Sequence, residues 1–123
     1  MNLLAFDCSG EEASVAIYIH NQCQLRHLGT LRDQGAKLIP CIEQLFQDYS
    51  CQLKDFDAIL TTRGPGSFTG LRVGLASAQG LSIASGVPVY AYTVFQVMTF
   101  KIIQAGHKPP FFTAVKTAQN DFF

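Results

Sequence analysis

The sequence has little charge, and none of it is in excess. Nine basic and nine acidic side chains cancel, and charged residues fill 15% of the 123 positions, against about 25% in ordinary domains. A chain that grips nucleic acid alone carries a basic surplus to displace counterions, so autonomous binding of that kind is disfavoured. Residue pairs of metal-binding type are also missing. Cys8, Cys23, Cys41 and Cys51 lie 15, 18 and 10 residues apart without a CxxC, and His20, His27 and His107 form no HxxxH. No stretch approaches about 18 continuous apolar residues, so no membrane-spanning helix is expected. Met1 to Asp7 has no basic region ahead of its apolar run, so no secretory leader is expected. The thiols then read as reduced, small core residues of a cytoplasmic protein.

What is present is apolar. Residues of that class make up 48% of the chain and aromatics 11%, which excludes disorder as the default state. The length suits one domain, with enough surface to bury for a real core.

Leu3 to Phe6 reads as a strand stopped by the polar turn Asp7-Cys-Ser-Gly10. Ser14 to His20 alternates, with Val15, Ile17 and Ile19 on one side, as a half-buried strand does. Asn21-Gln22 is a tight connection to a returning strand over Cys23 to Leu31. From Gly35 to Tyr49 the period becomes helical, with Leu38, Ile39, Ile42, Leu45 and Phe46 on one side. Pro40 inside that pattern predicts a helix that begins near it or kinks there. A buried strand follows from Ala58 to Thr61, then a helix from about Phe68 to Ser85 ended by Gly86. Val87 to Tyr92 is a strand, and Thr93 with Gln96 has capping-box spacing for a third helix reaching about Gln104. Phe111 to Val115 starts one more strand. The order β-β-β-α-β-α-β-α describes an α/β fold with a mixed five-stranded sheet, antiparallel at first and then parallel through crossovers.

Two segments carry candidate chemistry. Arg63-Gly-Pro-Gly-Ser-Phe-Thr-Gly-Leu-Arg72 is a glycine-rich loop between a buried strand and a helix N-terminus, an arrangement suited to phosphate. It departs from GxxxxGK[ST], from GxGxxG and from GxSxG, so a tight turn capped by Ser67 is the plainer reading. Asp7 and Ser9 at the end of the first strand could hold a metal-bound phosphate or simply cap the hairpin. The nucleotide- or anion-binding candidates are Asp7, Ser9, Gly64, Gly66, Ser67, Thr69 and Gly70. No nucleophile–base–orienter set is apparent.

The helix from Phe68 to Ser85 has small residues on one arc (Gly70, Gly74, Ser77, Ala78 and Ser85, with Leu81). Phe68, Ala76 and Ile83 lie opposite, and Arg72 is its one charge. Such a helix is expected to be covered on both sides. Its second cover is either the first helix or the helices of another subunit. In the latter case Leu38, Ile42, Leu45, Gly70, Gly74, Ala78 and Leu81 form the partner interface.

Leu4-Ala-Phe-Asp-Cys-Ser9, Leu38-Ile-Pro40 and above all Gly64-Pro-Gly-Ser-Phe-Thr-Gly-Leu-Arg-Val-Gly-Leu75 resemble the TsaB (YeaZ) family. The resemblance implies a lobe of the actin/sugar-kinase/Hsp70-like, ribonuclease H-like fold. It implies a non-catalytic scaffold in making N6-threonylcarbamoyladenosine beside the tRNA anticodon. The expected partners are the catalytic paralogue TsaD and the ATPase TsaE, with a homodimer as an alternative. No metal or cofactor is implied, and tRNA is met only through the partner. Family members are nearly twice this length. Residues 1–105 therefore correspond to the N-terminal lobe, and 106–123 to a linker and the first strand of a truncated second lobe. Gln34-Gly-Ala36 stands where the family usually has His-Ser-Glu, and Lys116-Thr-Ala118 where it has Asp-Ala-Arg. The rival expectations are an ATP-dependent phosphotransferase lobe of the same superfamily, using Asp7 and the Gly64–Gly70 loop, and a hydrolase or peptidase.

Overall fold

The computed structural model describes residues 1–30, 33–110 and 112–114. Three strands open the chain: β1 (Leu3–Asp7), β2 (Glu12–Ile19) and β3 (Gln22–Thr30). After α1 (Gln34–Asp48) come β4 (Ala58–Thr62), α2 (Phe68–Ser85), β5 (Val89–Tyr92) and α3 (Val94–Gln104). The sheet order is β3-β2-β1-β4-β5. β1 pairs antiparallel with β2 and parallel with β4, so the change of direction falls at the central strand.

Alternation sets the register. Leu4 lies opposite Ile17 and Phe6 opposite Val15, and Leu4 lies beside Ile59 on β4. All five are buried on the face that carries α1 and α2. α1 packs over β2 and β3, while α2 packs over β4 and β5. Arg26 of β3 ties the last turn of α1 down through a 2.6 Å ion pair with Asp48.

Local chemistry explains the ends of the elements. His20 and Asn21 take φ of 51° and 61°, so the two-residue hairpin turn is one position earlier than the expected Asn21-Gln22. α2 is capped by the Ser67 hydroxyl, which accepts from the Gly70 amide, and ends at Gly86 with φ 78°. Thr93 and Gln96 make the full capping box that starts α3. α1 begins at Gln34, well before Pro40, which lies inside the helix and is exposed. There it removes one amide donor and crowds the preceding turn, at a cost of about 3 kcal/mol or more.

α3 is unlike the other two helices. None of its residues is buried. Its Val97 lines a hollow with Ala5, Ala16 and Leu60, residues on the reverse face of the sheet. Residues 112–114 form no strand. The rest of the strand expected at Phe111–Val115, and Lys116, lie outside the described residues.

Candidate functional site

β1 and β4 run parallel and end side by side, which brings the turn after one against the glycine-rich loop after the other. Asp7 closes β1. Its Oδ1 accepts from the Ser9 amide at 2.8 Å and from the Thr62 hydroxyl at 2.6 Å. The Ser9 carbonyl in turn accepts from the Ser67 amide at 2.8 Å. Gly66 lies so close to Ser9 that a Cβ there would collide with the Ser9 carbonyl oxygen. Gly64 sits at φ +100°, a backbone conformation that L side chains rarely adopt. Only glycine fits both places.

The loop also reaches the other side. Its Arg63 amide donates to the Tyr92 carbonyl at 2.9 Å, and its Gly64 carbonyl accepts from the Val94 amide at 2.9 Å. At the start of α2 the Ser67 hydroxyl accepts from the Gly70 amide at 3.1 Å, and the Ser67 carbonyl from the Leu71 amide at 2.8 Å. Of the residues singled out in sequence, Asp7, Ser9, Gly64, Gly66, Ser67 and Gly70 belong to this one assembly. Thr69 is exposed on the first turn of α2. Thr62 was missed. Its signal is a polar residue ending an apolar run, as Asp7 does, but only the parallel pairing makes the two neighbours.

Beside Asp7 and Thr62 lies an open hollow of about 230 Å³, walled by Ala5, Ala16, Leu60 and Tyr92. A second, of about 280 Å³, continues along the same sheet face past Leu3 and Tyr90. Tyr90 and Tyr92 are exposed, as are Val97, Phe100 and Ile103 of α3. Among the described residues no cluster of His, Cys, Asp and Glu could hold a metal ion. Burial, and then the charge of Asp7, push the Cys8 thiol up to about 11. Burial also raises Cys41 and Cys51.

The interface expected from α1 and the small-residue arc needs correction. Leu38, Ile42 and Leu45 are at most 2% exposed, and Ala78 is 0% exposed. They are core residues of this chain. Gly70 and Gly74 are buried on the same side of α2, where Gly74 faces Cys8 and Thr61 of the sheet. Leu81 packs against that core while remaining partly buried. The small residues let α2 lie close on its own sheet. What stays uncovered on α2 is the opposite side, where Phe68 is 70% exposed and Ile83 86%. The Arg72 guanidinium sits 4.0 Å over the Phe68 ring.

A family model described as "TsaD: tRNA N6-adenosine threonylcarbamoyltransferase" matches residues 30–121. The chain is 37% identical to a Haemophilus influenzae protein named tRNA threonylcarbamoyladenosine biosynthesis protein TsaB, over 72% of this chain and 38% of that one. The Escherichia coli protein of the same name is 30% identical, over 80% of this chain and 42% of the relative. The structure of YeaZ from Pseudomonas aeruginosa superposes with a TM-score of 0.77 at 30% identity, over 85% of this chain and 49% of the other. The chain thus spans about half, or less, of the length of the relatives it matches.

Proposed function

The chain belongs to the TsaB (YeaZ) family, and from that premise we propose that it acts as a scaffold in tRNA threonylcarbamoyladenosine biosynthesis. The observation that carries the reading is the likeness, at 30% and 37% identity, to relatives named tRNA threonylcarbamoyladenosine biosynthesis protein TsaB. On this reading the chain performs no group transfer. A TsaD-like paralogue supplies the catalysis and a TsaE-like ATPase joins them, while tRNA is gripped mainly by the partners. Cancelling charge supports the last point. The absence of an apolar 18-residue helix span among the described residues is compatible with work in the cytoplasm. Residues 1–105 serve as one lobe.

Uncovered apolar side chains support a partner role. Phe68, Ala76 and Ile83 project from the side of α2 that faces away from the sheet, and exposed apolar groups of this kind mark association surfaces. A heterodimer with the paralogue and a homodimer would compete for that side. The test is co-purification of the tagged chain with a TsaD-like paralogue from the same organism. Wild type is expected to retain the paralogue, and Phe68→Glu with Ile83→Glu to release it while circular dichroism stays unchanged. Failure of wild type to retain the paralogue, or threonylcarbamoyl transfer by the pure chain, would overturn the scaffold reading.

A further inference from the structure

We infer that the Asp7–Ser9 turn and the loop from Arg63 to Ser67 form a closed clasp that seats the starts of α2 and α3, with Asp7 as its positioning residue. The inference concerns how the fold is fastened and does not depend on the scaffold reading. Four hydrogen bonds compose the clasp. Asp7 Oδ1 accepts from the Ser9 amide and the Thr62 hydroxyl, the Ser9 carbonyl accepts from the Ser67 amide, and the Gly64 carbonyl accepts from the Val94 amide. The first closes the turn on itself, and the second fixes it to the end of β4. The third holds the N-cap residue of α2, and the fourth holds the first residue of α3. Gly66 completes it by lying where no side chain fits against Ser9.

The same bonds leave less of this loop for a phosphate cradle. A phosphate at a helix N-terminus takes free backbone amides, and two of them, those of Ser67 and Gly70, already donate within the chain. Asp7 adds a carboxylate beside them, and like charge repels a phosphate. In the clasp Asp7 is needed as an acceptor of two hydrogen bonds on one oxygen. An asparagine in its place can keep that accepting oxygen while it removes the charge and turns the other oxygen into an NH2 donor.

The experiment therefore separates oxygen from charge. Amide hydrogen exchange is measured at Ser9, Ser67 and Val94 in wild type, Asp7→Asn, Asp7→Ala and Thr62→Val, with Mg·ATP titrated into each. Asp7→Ala is expected to speed exchange at Ser9 and Ser67 roughly tenfold or more, and Asp7→Asn to stay within about threefold of wild type. Thr62→Val, which keeps shape and removes one donor, should fall between them. Mg·ATP should bind none of the four. If Asp7→Ala does not fold, the contrast of Asp7→Asn with Thr62→Val still decides. Exchange in Asp7→Asn as fast as in Asp7→Ala, or faster than in Thr62→Val, would overturn the clasp. So would Mg·ATP binding by wild type that Asp7→Asn abolishes.

Discussion

Neighbouring residues on the same strands meet opposite fates on the two faces of the sheet. On the face under α1 and α2, Leu4, Val15, Ile17 and Ile59 are all 0% exposed. On the reverse face Leu3, Ala5, Ala16 and Leu60 are only partly covered, and Tyr90 and Tyr92 stand in solvent. Both faces are apolar, so composition alone does not separate them. The difference lies in the helices. α1 offers a stripe of large aliphatic side chains and α2 an arc of small ones, and each closes onto the sheet. α3 reaches the reverse face by little more than Val97 and buries none of its residues. Stability should therefore be concentrated on one face, and the other should tolerate substitution.

The sharpest way to break that comparison is to crowd the closed face. Gly74→Phe would drive a ring into Cys8 and Thr61, and the chain is expected not to fold, as read by circular dichroism. Soluble, folded protein with that substitution would mean that α2 does not lie on the sheet through its small residues. Adjacent positions on β4 give the graded form of the test. Ile59→Ala should cost about 2–5 kcal/mol in urea unfolding, whereas Leu60→Ala, on the open side, should cost roughly 1 kcal/mol or less. Equal losses would show that something covers the reverse face in solution.

Much of this architecture was legible in the sequence because local rules and global fold agree. Alternation in β2, Ser67 and Gly86 at the ends of α2, and Thr93 with Gln96 before α3 each act within a few residues. The orientation of α2 was not legible. One arc carries small residues, the opposite side carries Phe68 and Ile83, and no polar stripe marks the outside. The pattern asked for cover on both sides, and the sheet selected the small arc because a helix carrying glycine can approach a strand closely. Contacts set by pairing far along the chain were hidden too. Thr62 becomes the partner of Asp7 only when β4 docks parallel to β1. The same logic explains why the seven interface candidates failed as a set, since four of them are core positions at helical spacing.

Along α2 itself the comparison can be sharpened with a smaller effect. Gly80 is exposed, and a Cβ there meets nothing within 4 Å. Gly80→Ala should stabilise the chain by about 0.5–1 kcal/mol, since glycine in a helix interior retains excess freedom when unfolded. The two glycines, six residues apart, would then shift stability in opposite directions. A loss on Gly80→Ala would place a neighbour against the outer side of α2.

An effect confined to alkaline pH is read through the thiols, which sample both faces. Cys23 is exposed on β3, while Cys8 is buried beneath α2. Alkylation of the folded chain at neutral pH should modify Cys23 first and leave Cys8 untouched until the chain opens. Cys8 also carries a pH signature. Its thiol is pushed up to about 11 in the fold, by burial first and by Asp7 second, from an ordinary value of 9.0. Between those values the unfolded chain has lost the proton that the folded chain keeps, so unfolding releases a proton and stability falls as pH rises. The contribution is intact below pH 9 and fades through about pH 11. Cys41 and Cys51 are raised as well and tilt the curve in the same direction. Cys8→Ala should therefore flatten the alkaline decline of urea-unfolding stability without abolishing it. An unchanged slope between pH 9 and 11 would mean that water reaches Cys8 and that the closed face is less tightly sealed at its Asp7 end.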